Sequence, residues 1–549
     1  MDPAPAARTY DLVIAANRLP VDRQVLPDGS TEWRRSPGGL VTAMESVMRG
    51  REGAWVGWAG EAGEAPEPFD EDGMHLVPVP LSAPEIASYY EGFSNDTLWP
   101  IYHDVIVPAT FHRGWWQSYR EVNERFAEAI CSVASPGARV WIHDYQLQLV
   151  PALVRERRPD VRIGWFNHIP WPAVELFAQL PWRERLLRGL LGADFLGFQR
   201  TADAQNFIRA CRQMLHLQTR TDTVHVAGED GAPDRVVRAA SVPISIDTKG
   251  LEKLAKTPAV RARAKEIRAS LGNPRTLLLG VDRLDYTKGI RHRLKAYEEL
   301  LVDGAFSPPD VTFIQVATPS RERVEAYRRL RTEVETTVGR INGDHGSIGS
   351  PAIQYLHQSY PREEMAALFQ AADIMLVTPL RDGMNLVAKE YVACRYDLGG
   401  TLVLSEFTGA AHELTASFLH NPHDIQGLKD TIRRAVEAPT VEKRRRMRSL
   451  RSELRAASAR CDVLVSQKAY VTSSLRAHEW LFHQLCTHLK ALAPVLRRYG
   501  GVPPPRRRPK ARRPSRRAPS SPSGPTPRSS RRSISTTKPF APVSSRWHS

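Results

Sequence analysis

The chain of 549 residues is predicted to be an α/β protein built from two doubly wound domains that face each other across a cleft. Three observations predict this fold class. Short apolar runs alternate with amphipathic helical stretches from residue 10 to residue 437. The alternation restarts after residues 242–247, the predicted crossing between the two halves. The two βα series are of similar length, and we find no internal repeat of about 20–50 residues.

The first series forms the predicted N-terminal domain, residues 1–241. Its apolar runs predict strands over residues 10–16, 54–58, 75–81, 139–142, 161–166 and 195–198. Helical spacing predicts helices over residues 36–48, 84–90, 115–132, 146–157 and 202–215. Residues 89–100 are aromatic and rich in turn formers, so we expect a loop there. Its aromatic side chains either wall a sugar site, because pyranose faces are apolar, or simply fill the core.

The second series forms the predicted C-terminal domain, residues 242–443. Strands are expected over residues 276–281, 311–316, 353–356, 374–377 and 401–404. Helices are expected over residues 260–271, 290–301, 321–338, 362–371 and 425–437, with another from Met384 onward. Residues 444–502 are helical in character but irregular.

The net charge of +16 comes mostly from the end of the chain. Thirteen of the 76 Lys and Arg residues lie in residues 503–549, which contain no Asp or Glu, so residues 1–502 hold 63 basic and 60 acidic side chains. This basic tail is rich in Pro, Ser and Arg and cannot bury a core, so we predict that it is disordered. We expect a solvated extension rather than a specific nucleic-acid site.

The remaining composition favours a cytoplasmic protein with no membrane span. No apolar run approaches the ~20 residues of a transmembrane helix, and the short run after Asp11 lacks the flanks of a signal peptide. The five cysteines are far apart without C-x-x-C spacing, which argues against a disulfide framework or a zinc site.

Residues 373–390 are the strongest candidate site. A buried strand is followed by Pro379, by the turn pair Asp382-Gly383 and by the start of a helix. Ligands of open α/β sheets bind at this carboxyl end of the strand. The free N–H groups and positive dipole end of the helix suit an anion, and Glu390 suits sugar hydroxyls. An ordinary βα unit explains the apolar residues here, but not the cluster of polar ones.

Arg283 and Lys288 follow another predicted strand and precede another helix. Two cations beside a helix N-terminus suit a diphosphate, and Asp285 can hold one of them in place. Neither a Walker motif nor a G-x-G-x-x-G after a strand is present, which disfavours a P-loop ATPase and a standard NAD site.

Several weaker signals gain weight together. A glycine pair, Gly38 and Gly39, opens a predicted helix, and Arg18 and Arg321 follow strands in different halves, where they can grip one phosphate. His143-Asp144 and Asn167-His168 end adjacent strands, and we favour hydrogen bonds to sugar hydroxyls there over a metal site. A solvated arginine or a buried core histidine remains the simpler explanation of each residue alone.

Together these residues resemble glycosyltransferase family 20, the trehalose-6-phosphate synthase family of retaining enzymes with two Rossmann-like domains (the GT-B fold). The motifs run in family order. They are residues 16–20 (ANRLP), 36–40 (SPGGL), 93–95 (FSN), 98–100 (LWP), 141–145 (WIHDY), 168–170 (HIP), 196–198 (LGF), 283–289 (RLDYTKG), 339–343 (GRING) and 378–391 (TPLRDGMNLVAKEY).

The resemblance implies transfer of glucose from a nucleotide-glucose, most simply UDP-glucose, to glucose 6-phosphate, giving α,α-trehalose 6-phosphate. It implies no metal or other cofactor and a homo-oligomer, a dimer or tetramer. The implied catalytic residues are Asp382, His168, Arg283 and Lys288. The implied donor-binding residues are these four with Gly38, Gly39, Tyr360, Gly383, Met384, Asn385, Leu386, Val387, Ala388, Lys389 and Glu390. The implied acceptor-binding residues are Arg18, Tyr90, Trp99, Asp144 and Arg321.

Departures from the family pattern leave some points open. Gln146, Trp171 and Asp104 replace commoner residues beside expected contacts, so the donor nucleotide, UDP, GDP or ADP, stays open. The closing pattern of the family is not recognisable after residue 444, which is consistent with a divergent or frame-shifted C-terminus. Another GT-B nucleotide-sugar transferase and a catalytically idle regulatory homologue are the alternative functions, and intact Arg283 and Lys288 argue against the second.

Overall fold

The computed structural model describes residues 8–25, 28, 30–36, 52–228 and 234–466. The predicted helix over residues 36–48, Gly38 and Gly39, residues 467–502 and the predicted disordered tail, residues 503–549, lie outside this part of the chain.

Seventeen strands occur in the described residues. In chain order they are β1 (Tyr10–Arg18), β2 (Val21–Val25), β3 (Thr31–Arg35), β4 (Ala54–Trp58), β5 (Phe69–Glu71), β6 (Met74–Pro78), β7 (Ala134–His143), β8 (Arg162–Phe166), β9 (Phe195–Phe198), β10 (Thr223–Val226), β11 (Arg235–Ser241), β12 (Thr276–Arg283), β13 (Val311–Thr318), β14 (Ile353–Leu356), β15 (Ile374–Val377), β16 (Thr401–Ser405) and β17 (Phe418–His420).

The α-helices of the same residues are α1 (Ala83–Glu85), α2 (Trp99–Tyr102), α3 (Arg113–Val133), α4 (Val150–Arg157), α5 (Val174–Phe177), α6 (Arg183–Leu190), α7 (Thr201–Met214), α8 (Thr248–Ala255), α9 (Pro258–Ser270), α10 (Ile290–Val302), α11 (Glu325–His345), α12 (Arg362–Ala371), α13 (Leu386–Cys394), α14 (Ile425–Glu437) and α15 (Thr440–Ser466). A π-helix covers Ile86–Leu98, and 3₁₀ turns cover Tyr145–Leu147, Tyr286–Lys288 and Gly409–His412.

The strands before residue 242 form a nine-stranded sheet and a small hairpin, β2–β3. The sheet order is β10-β11-β9-β8-β7-β1-β4-β6-β5, and its seven central strands, β11 to β6, are parallel. The strand order therefore reverses direction between β1 and β7. Apolar side chains fill β1 and β4 because both faces of a parallel sheet are covered by helices.

The strands after residue 242 form a six-stranded parallel sheet with the order β14-β13-β12-β15-β16-β17. Numbered within the sheet, this is the 3-2-1-4-5-6 order of a doubly wound nucleotide-binding fold. The order reverses between β12 and β15, the two strands that precede the predicted cation and Asp382 loops. The α/β fold class is thus confirmed, whereas the exact domain boundaries stay a prediction.

The predicted loop over residues 89–100 is wrong, since these residues lie in the π-helix and in α2. The segment contains Gly92, Asn95 and Asp96, which have low helix propensity and led to the loop prediction. Burial of Tyr89, Phe93 and neighbouring side chains against the core overrides that propensity. π-helical turns occur frequently at functional sites.

Three predicted helix starts also shift. Arg321 precedes α11 with a φ of 48°, and Asn385 precedes α13 with a φ of 81°, so neither backbone is helical. The predicted helix over residues 146–157 is a 3₁₀ turn followed by α4, with Pro151 in the first turn of α4. The hairpin β10–β11 and strand β17, which lie at sheet edges, were not predicted.

The crossing between the halves is held from both sides at Ile244. Its N–H donates to Gln199 Oε1 at 3.0 Å, in the N-terminal half. Its carbonyl accepts from Lys389 Nζ at 2.6 Å, in the C-terminal half. Lys389 is fully buried and also pairs with Glu413 at 2.5 Å.

Candidate active site

Both sheets present polar side chains at the carboxyl ends of the strands where their order reverses. In the first sheet β1 ends at Arg18 and β7 ends at His143. In the second sheet β12 ends at Arg283, and the loop after β15 carries Asp382. These are the positions at which open α/β sheets bind ligands.

Lys288 and Asp382 form an ion pair in the C-terminal half, with Lys288 Nζ 2.7 Å from Asp382 Oδ2. Asn385 donates to the same carboxylate oxygen at 3.2 Å. Burial alone would raise the pKa of Asp382, but the charge and hydrogen bonds of Lys288 and Asn385 lower it below its usual value. Asp382 is therefore held as an oriented carboxylate, with one oxygen engaged by the protein.

Asp285 pairs with Arg283, one of the two cations that it was predicted to hold, and with Arg321, for which no such contact was predicted. Its Oδ2 lies 3.3 Å from Arg321 Nη1 and 3.7 Å from Arg283 Nη2. Its other oxygen accepts from the backbone and hydroxyl of Thr287 at 3.0 and 2.9 Å. Burial would raise the pKa of Asp285, but Arg321, Arg283 and Lys288 outweigh it and lower the pKa to about 2. A buried carboxylate with this set of partners fixes two arginines while leaving Arg283 about half exposed.

Arg321 reaches from the C-terminal half to side chains of the N-terminal half. Its guanidinium carbon lies 3.8 Å from the ring centroid of Trp99, a cation–π contact. Its Nη2 donates to the hydroxyl of Tyr145 at 3.1 Å, and Tyr145 donates to Asn95 at 2.8 Å. Trp99 and Arg321, both predicted to bind the acceptor, are thus brought together. The buried Nε of Arg321 has no hydrogen-bond partner among the described residues.

His143 and His168 form a buried pair, with Nδ1 of His143 3.1 Å from Nε2 of His168. Burial lowers the pKa of His168 to about 3, and burial with the neighbouring ring lowers that of His143 as well. Both rings are therefore neutral at pH 7. The buried Nε2 of His143 has no partner within the described part of the chain, and the structure gives this pair no third ligand typical of a metal site.

Asp144 follows His143 with a φ of 73° and a ψ of 175°, a strained backbone conformation that residues other than glycine rarely adopt. Its Oδ1 accepts from the backbone N–H of His168 at 3.2 Å. No cation lies within ion-pair distance of Asp144 among the described residues, and burial raises its pKa to about 6. Asp144 is accordingly a carboxylate with unused hydrogen-bonding capacity.

The N-terminus of α13 begins beside Asp382. Asn385 is the N-cap residue, and its side chain accepts from Ala388 N at 3.0 Å. The N–H groups of Leu386 and Val387 occupy the first turn, where a helix supplies no acceptors of its own. Met384 and Ala388 are buried in the core, so their side chains support this backbone.

Three other predicted donor residues lie on or near α13. Lys389 points into the crossing, where it bonds to Ile244 and Glu413, so only its backbone remains for a ligand. Glu390 is partly buried, and burial raises its pKa. Tyr360 is partly buried and packs against the apolar core of the C-terminal half.

Arg18 is the predicted acceptor residue that the structure leaves most open, with 42% of its side chain exposed. It pairs with Asp22 of β2 at 2.6 Å and lies 5.0 Å from the ring centroid of Trp58. Trp58 in turn contacts Tyr90, with 5.8 Å between ring centroids. The structure does not join Arg18 directly to Arg321.

The two halves meet closely at Gly383. A Cβ atom there would lie 2.5 Å from the carbonyl oxygen of His168 and 3.0 Å from the carbonyl carbon of Ile169. Only glycine permits this approach. The loops that carry Asp382 and His168, one from each half, therefore line the same cleft.

Sequence reasoning missed the residues that position others. Tyr145 and Tyr327 both bond to Arg321, and Tyr327 also donates to Asp285 at 3.1 Å. His103 packs against Trp99 in a tilted arrangement, with 4.1 Å between ring centroids. Tyr145 adjoins His143-Asp144 in the sequence, which was the available signal, whereas Tyr327 lies on a charged helix that gives none.

No group of three or more His, Cys, Asp and Glu side chains in the described ranges is arranged to hold a metal ion. Within those ranges, no helix is both long and apolar enough to cross a membrane.

Comparison with known proteins gives a family. The model of glycosyltransferase family 20 matches residues 10–460. A trehalose-6-phosphate synthase of Mycolicibacterium gilvum is 57% identical over 462 residues, which cover 82% of this chain and 92% of that protein.

Solved structures agree. The α,α-trehalose-phosphate synthase (UDP-forming) of Burkholderia xenovorans in complex with glucose-6-phosphate is 32% identical, with a TM-score of 0.75 over 83% of this chain and 99% of that one. An E. coli structure bound with UDP-2-fluoro glucose is also 32% identical, with a TM-score of 0.75 over 83% and 98%. The chain therefore belongs to glycosyltransferase family 20, and the predicted fold of two Rossmann-like domains is confirmed.

Proposed function

We propose that this protein transfers glucose from UDP-glucose to glucose 6-phosphate and forms α,α-trehalose 6-phosphate with retention of configuration. The observation that carries the proposal is the junction of Arg321 with Trp99 and Tyr145. It places a cation from one sheet beside the aromatic wall of the other, next to Arg283 and Asp285. A site with phosphate-binding groups on both sides of a cleft suits one phosphorylated substrate in each half.

The donor diphosphate belongs at Arg283, Lys288 and the N-terminus of α13. Cleavage of the glycosidic bond leaves negative charge on UDP, and fixed cations stabilise that charge without reorganising. In this assignment Glu390 accepts from the ribose hydroxyls and the backbone at Tyr360 meets the base. The proposal needs no metal, because the cations neutralise the leaving diphosphate.

The transferred glucose belongs between Asp382 and His168. Asp382 holds one oxygen on Lys288 and Asn385, so its other oxygen is available to a sugar hydroxyl. The neutral His168 donates or accepts a hydrogen bond without adding charge. Neither group is assigned as a nucleophile. The acceptor proton passes instead to a leaving phosphate oxygen on the same face of the sugar, which retains configuration.

The acceptor phosphate belongs at Arg321 and Arg18, and Asp144 takes an acceptor hydroxyl. The unpartnered Nε of Arg321 supports this assignment, because a buried donor without an acceptor costs free energy unless a ligand satisfies it. Trp99 and Tyr90 supply the apolar wall for the sugar ring.

A coupled assay of UDP release tests the proposal. We expect release from UDP-glucose to require glucose 6-phosphate, and Arg321→Ala to raise the KM for glucose 6-phosphate at least tenfold more than the KM for UDP-glucose. Equal use of free glucose by the wild type would contradict the acceptor assignment. Parallel assays with GDP-glucose and ADP-glucose fix the nucleotide, and light scattering tests the predicted dimer or tetramer.

A further inference from the structure

A second basic pocket lies on the C-terminal half, away from the cleft residues described above. Its volume is about 470 Å³, and it is lined by Glu252, Lys256, Tyr396, Leu398, Arg448, Arg451, Ser452 and Arg455. Arg448, Arg451, Ser452 and Arg455 share one face of α15, because they are spaced by three and four residues. The opposite wall comes from the end of α8 and the segment after α13.

The lining carries four cations and one carboxylate. Glu252 is the only acidic side chain, and it is shared among Lys256 at 2.7 Å, Arg451 at 2.8 Å and Arg455 at 3.3 Å. Arg448 is exposed and has no hydrogen bond or ion pair with the residues that the structure describes. Three positive charges therefore remain uncompensated in one concavity, and their mutual repulsion is relieved by an anion.

We infer that this pocket binds a small molecule with two or more negative charges on phosphate groups. Three of the cations can turn onto a ligand. The side chains of Lys256 and Arg455 are about half or more exposed. Arg448 is exposed and has no partner among the described residues. Arg451 is only 9% exposed and serves as the fixed wall. The ring of Tyr396, 5.4 Å from Lys256 Nζ, offers an apolar face to the rest of the molecule.

The pocket is connected to the donor side of the cleft through α13. Arg451 donates to the carbonyls of Val392 and Ala393 at 3.3 and 3.0 Å, at the C-terminal end of that helix. The N-terminal end of α13 lies beside Asp382, about 13 Å away for nine residues. An anion that draws Lys256 and Arg455 away from Glu252 leaves Glu252 to Arg451 alone. That change tightens Arg451 against the end of α13.

Inorganic pyrophosphate is the probe, and calorimetry on the full chain measures its binding at constant ionic strength with UDP saturating. The double variant Arg448→Gln with Arg455→Gln should weaken pyrophosphate binding at one class of sites at least tenfold. The matched control is Arg444→Gln with Arg445→Gln, which removes the same charge from exposed positions of α15 outside the pocket. An equal loss in both pairs would show non-specific attraction and overturn the proposal, as would no loss in the first pair.

Glu252→Gln tests the same site by an expected increase in pyrophosphate binding. A folding defect would weaken binding and so cannot imitate this result. Removing the only carboxylate should tighten pyrophosphate binding about threefold, and weaker or unchanged binding would contradict the pocket. Hydrogen exchange of residues 386–394 gives a readout independent of transfer activity. Pyrophosphate should slow it at least threefold in the wild type and the control pair, but not in the pocket pair. Unchanged exchange in the wild type would overturn the link to α13.

Discussion

At the scale of single residues, three carboxylates of the cleft differ in what neutralises them. Asp382 has Lys288, and Asp285 has Arg321 and Arg283, whereas Asp144 has no ion-pair partner among the described residues and accepts from the backbone N–H of His168. Burial acts on all three, but only Asp144 ends with a raised pKa, about 6. Asp144 therefore costs stability when it ionises, as groups kept for ligand binding often do.

Asp144→Asn should stabilise the free protein at pH 7.5 by about 1–3 kcal/mol while lowering activity at least tenfold. The folded pKa lies above the unfolded value, so ionisation costs stability as the pH rises from about 4 through about 6. The gain should shrink below pH 6 and vanish near pH 4, as urea unfolding at several pH values will measure.

The control is Asp430→Asn on the exposed face of α14, which should change the free energy of unfolding by less than about 0.5 kcal/mol. A pH-independent gain at Asp144 would contradict the buried-charge explanation.

The sequence sufficed to predict which residues lie at the ligand-binding edge of each sheet, because parallel strands place their carboxyl ends at one edge. Arg283, Lys288, Asp382, Asp144 and His168 follow from that rule. The contact of Arg321 with Trp99 and Tyr145 does not, since it depends on how two separate sheets are oriented.

At the scale of elements, one residue, Asn385, both caps α13 and sets the backbone conformation from which the helix begins. Asn385 adopts a left-handed backbone and caps Ala388 while also holding Asp382. Few residues other than glycine and asparagine tolerate that backbone, and only asparagine adds the cap.

Asn385→Gly should cost only about 0.5 kcal/mol of unfolding free energy, whereas Asn385→Ala should cost about 2–3 kcal/mol. The difference between these two costs measures what the left-handed backbone of residue 385 contributes to the unfolding free energy. At Asp424, the N-cap residue of α14, φ is −95°, so the same pair of substitutions should differ by only about 1 kcal/mol or less. A similar gap at both sites, measured by urea unfolding, would contradict the argument.

Local patterns failed where tertiary burial overrode propensity. The π-helix at Ile86–Leu98 contains glycine, asparagine and aspartate, and no periodicity marks a rare helix type. Strands β10, β11 and β17 lack the apolar runs of the central strands, so pattern reasoning missed them.

At the scale of the whole molecule, loops from the two halves approach each other across the cleft. Gly383 lies close against the carbonyl of His168, and Arg381 adds an ion pair with Asp104 at 3.3 Å. Asp104 is one of the departures from the family pattern.

Gly383→Ala should lower kcat/KM at least tenfold, because the added Cβ meets the His168 carbonyl and separates the loops that carry Asp382 and His168. Gly339→Ala on α11 is the control, since a Cβ there meets nothing within 4 Å. Steady-state kinetics on both variants measure the effect. Unchanged kcat/KM in Gly383→Ala would mean that transfer does not need this approach.

The tail, residues 503–549, adds 13 positive charges to a chain that is nearly neutral without it. We expect its removal to leave kcat/KM within about twofold. Kinetics at two salt concentrations on the full and shortened chains measure this. Loss of transfer in the shortened chain would contradict a passive tail.

Ile244 finally sets how the halves can move. Its N–H is fastened to Gln199 and its carbonyl to Lys389, so the chain is anchored to a different half on each side of one residue. Any rotation that keeps both anchors must turn about the φ and ψ bonds of that residue. Ile244 is thus the hinge residue of such a rotation. Because Lys389 belongs to α13, a rotation at Ile244 would displace this helix, whose N-terminus lies beside Asp382.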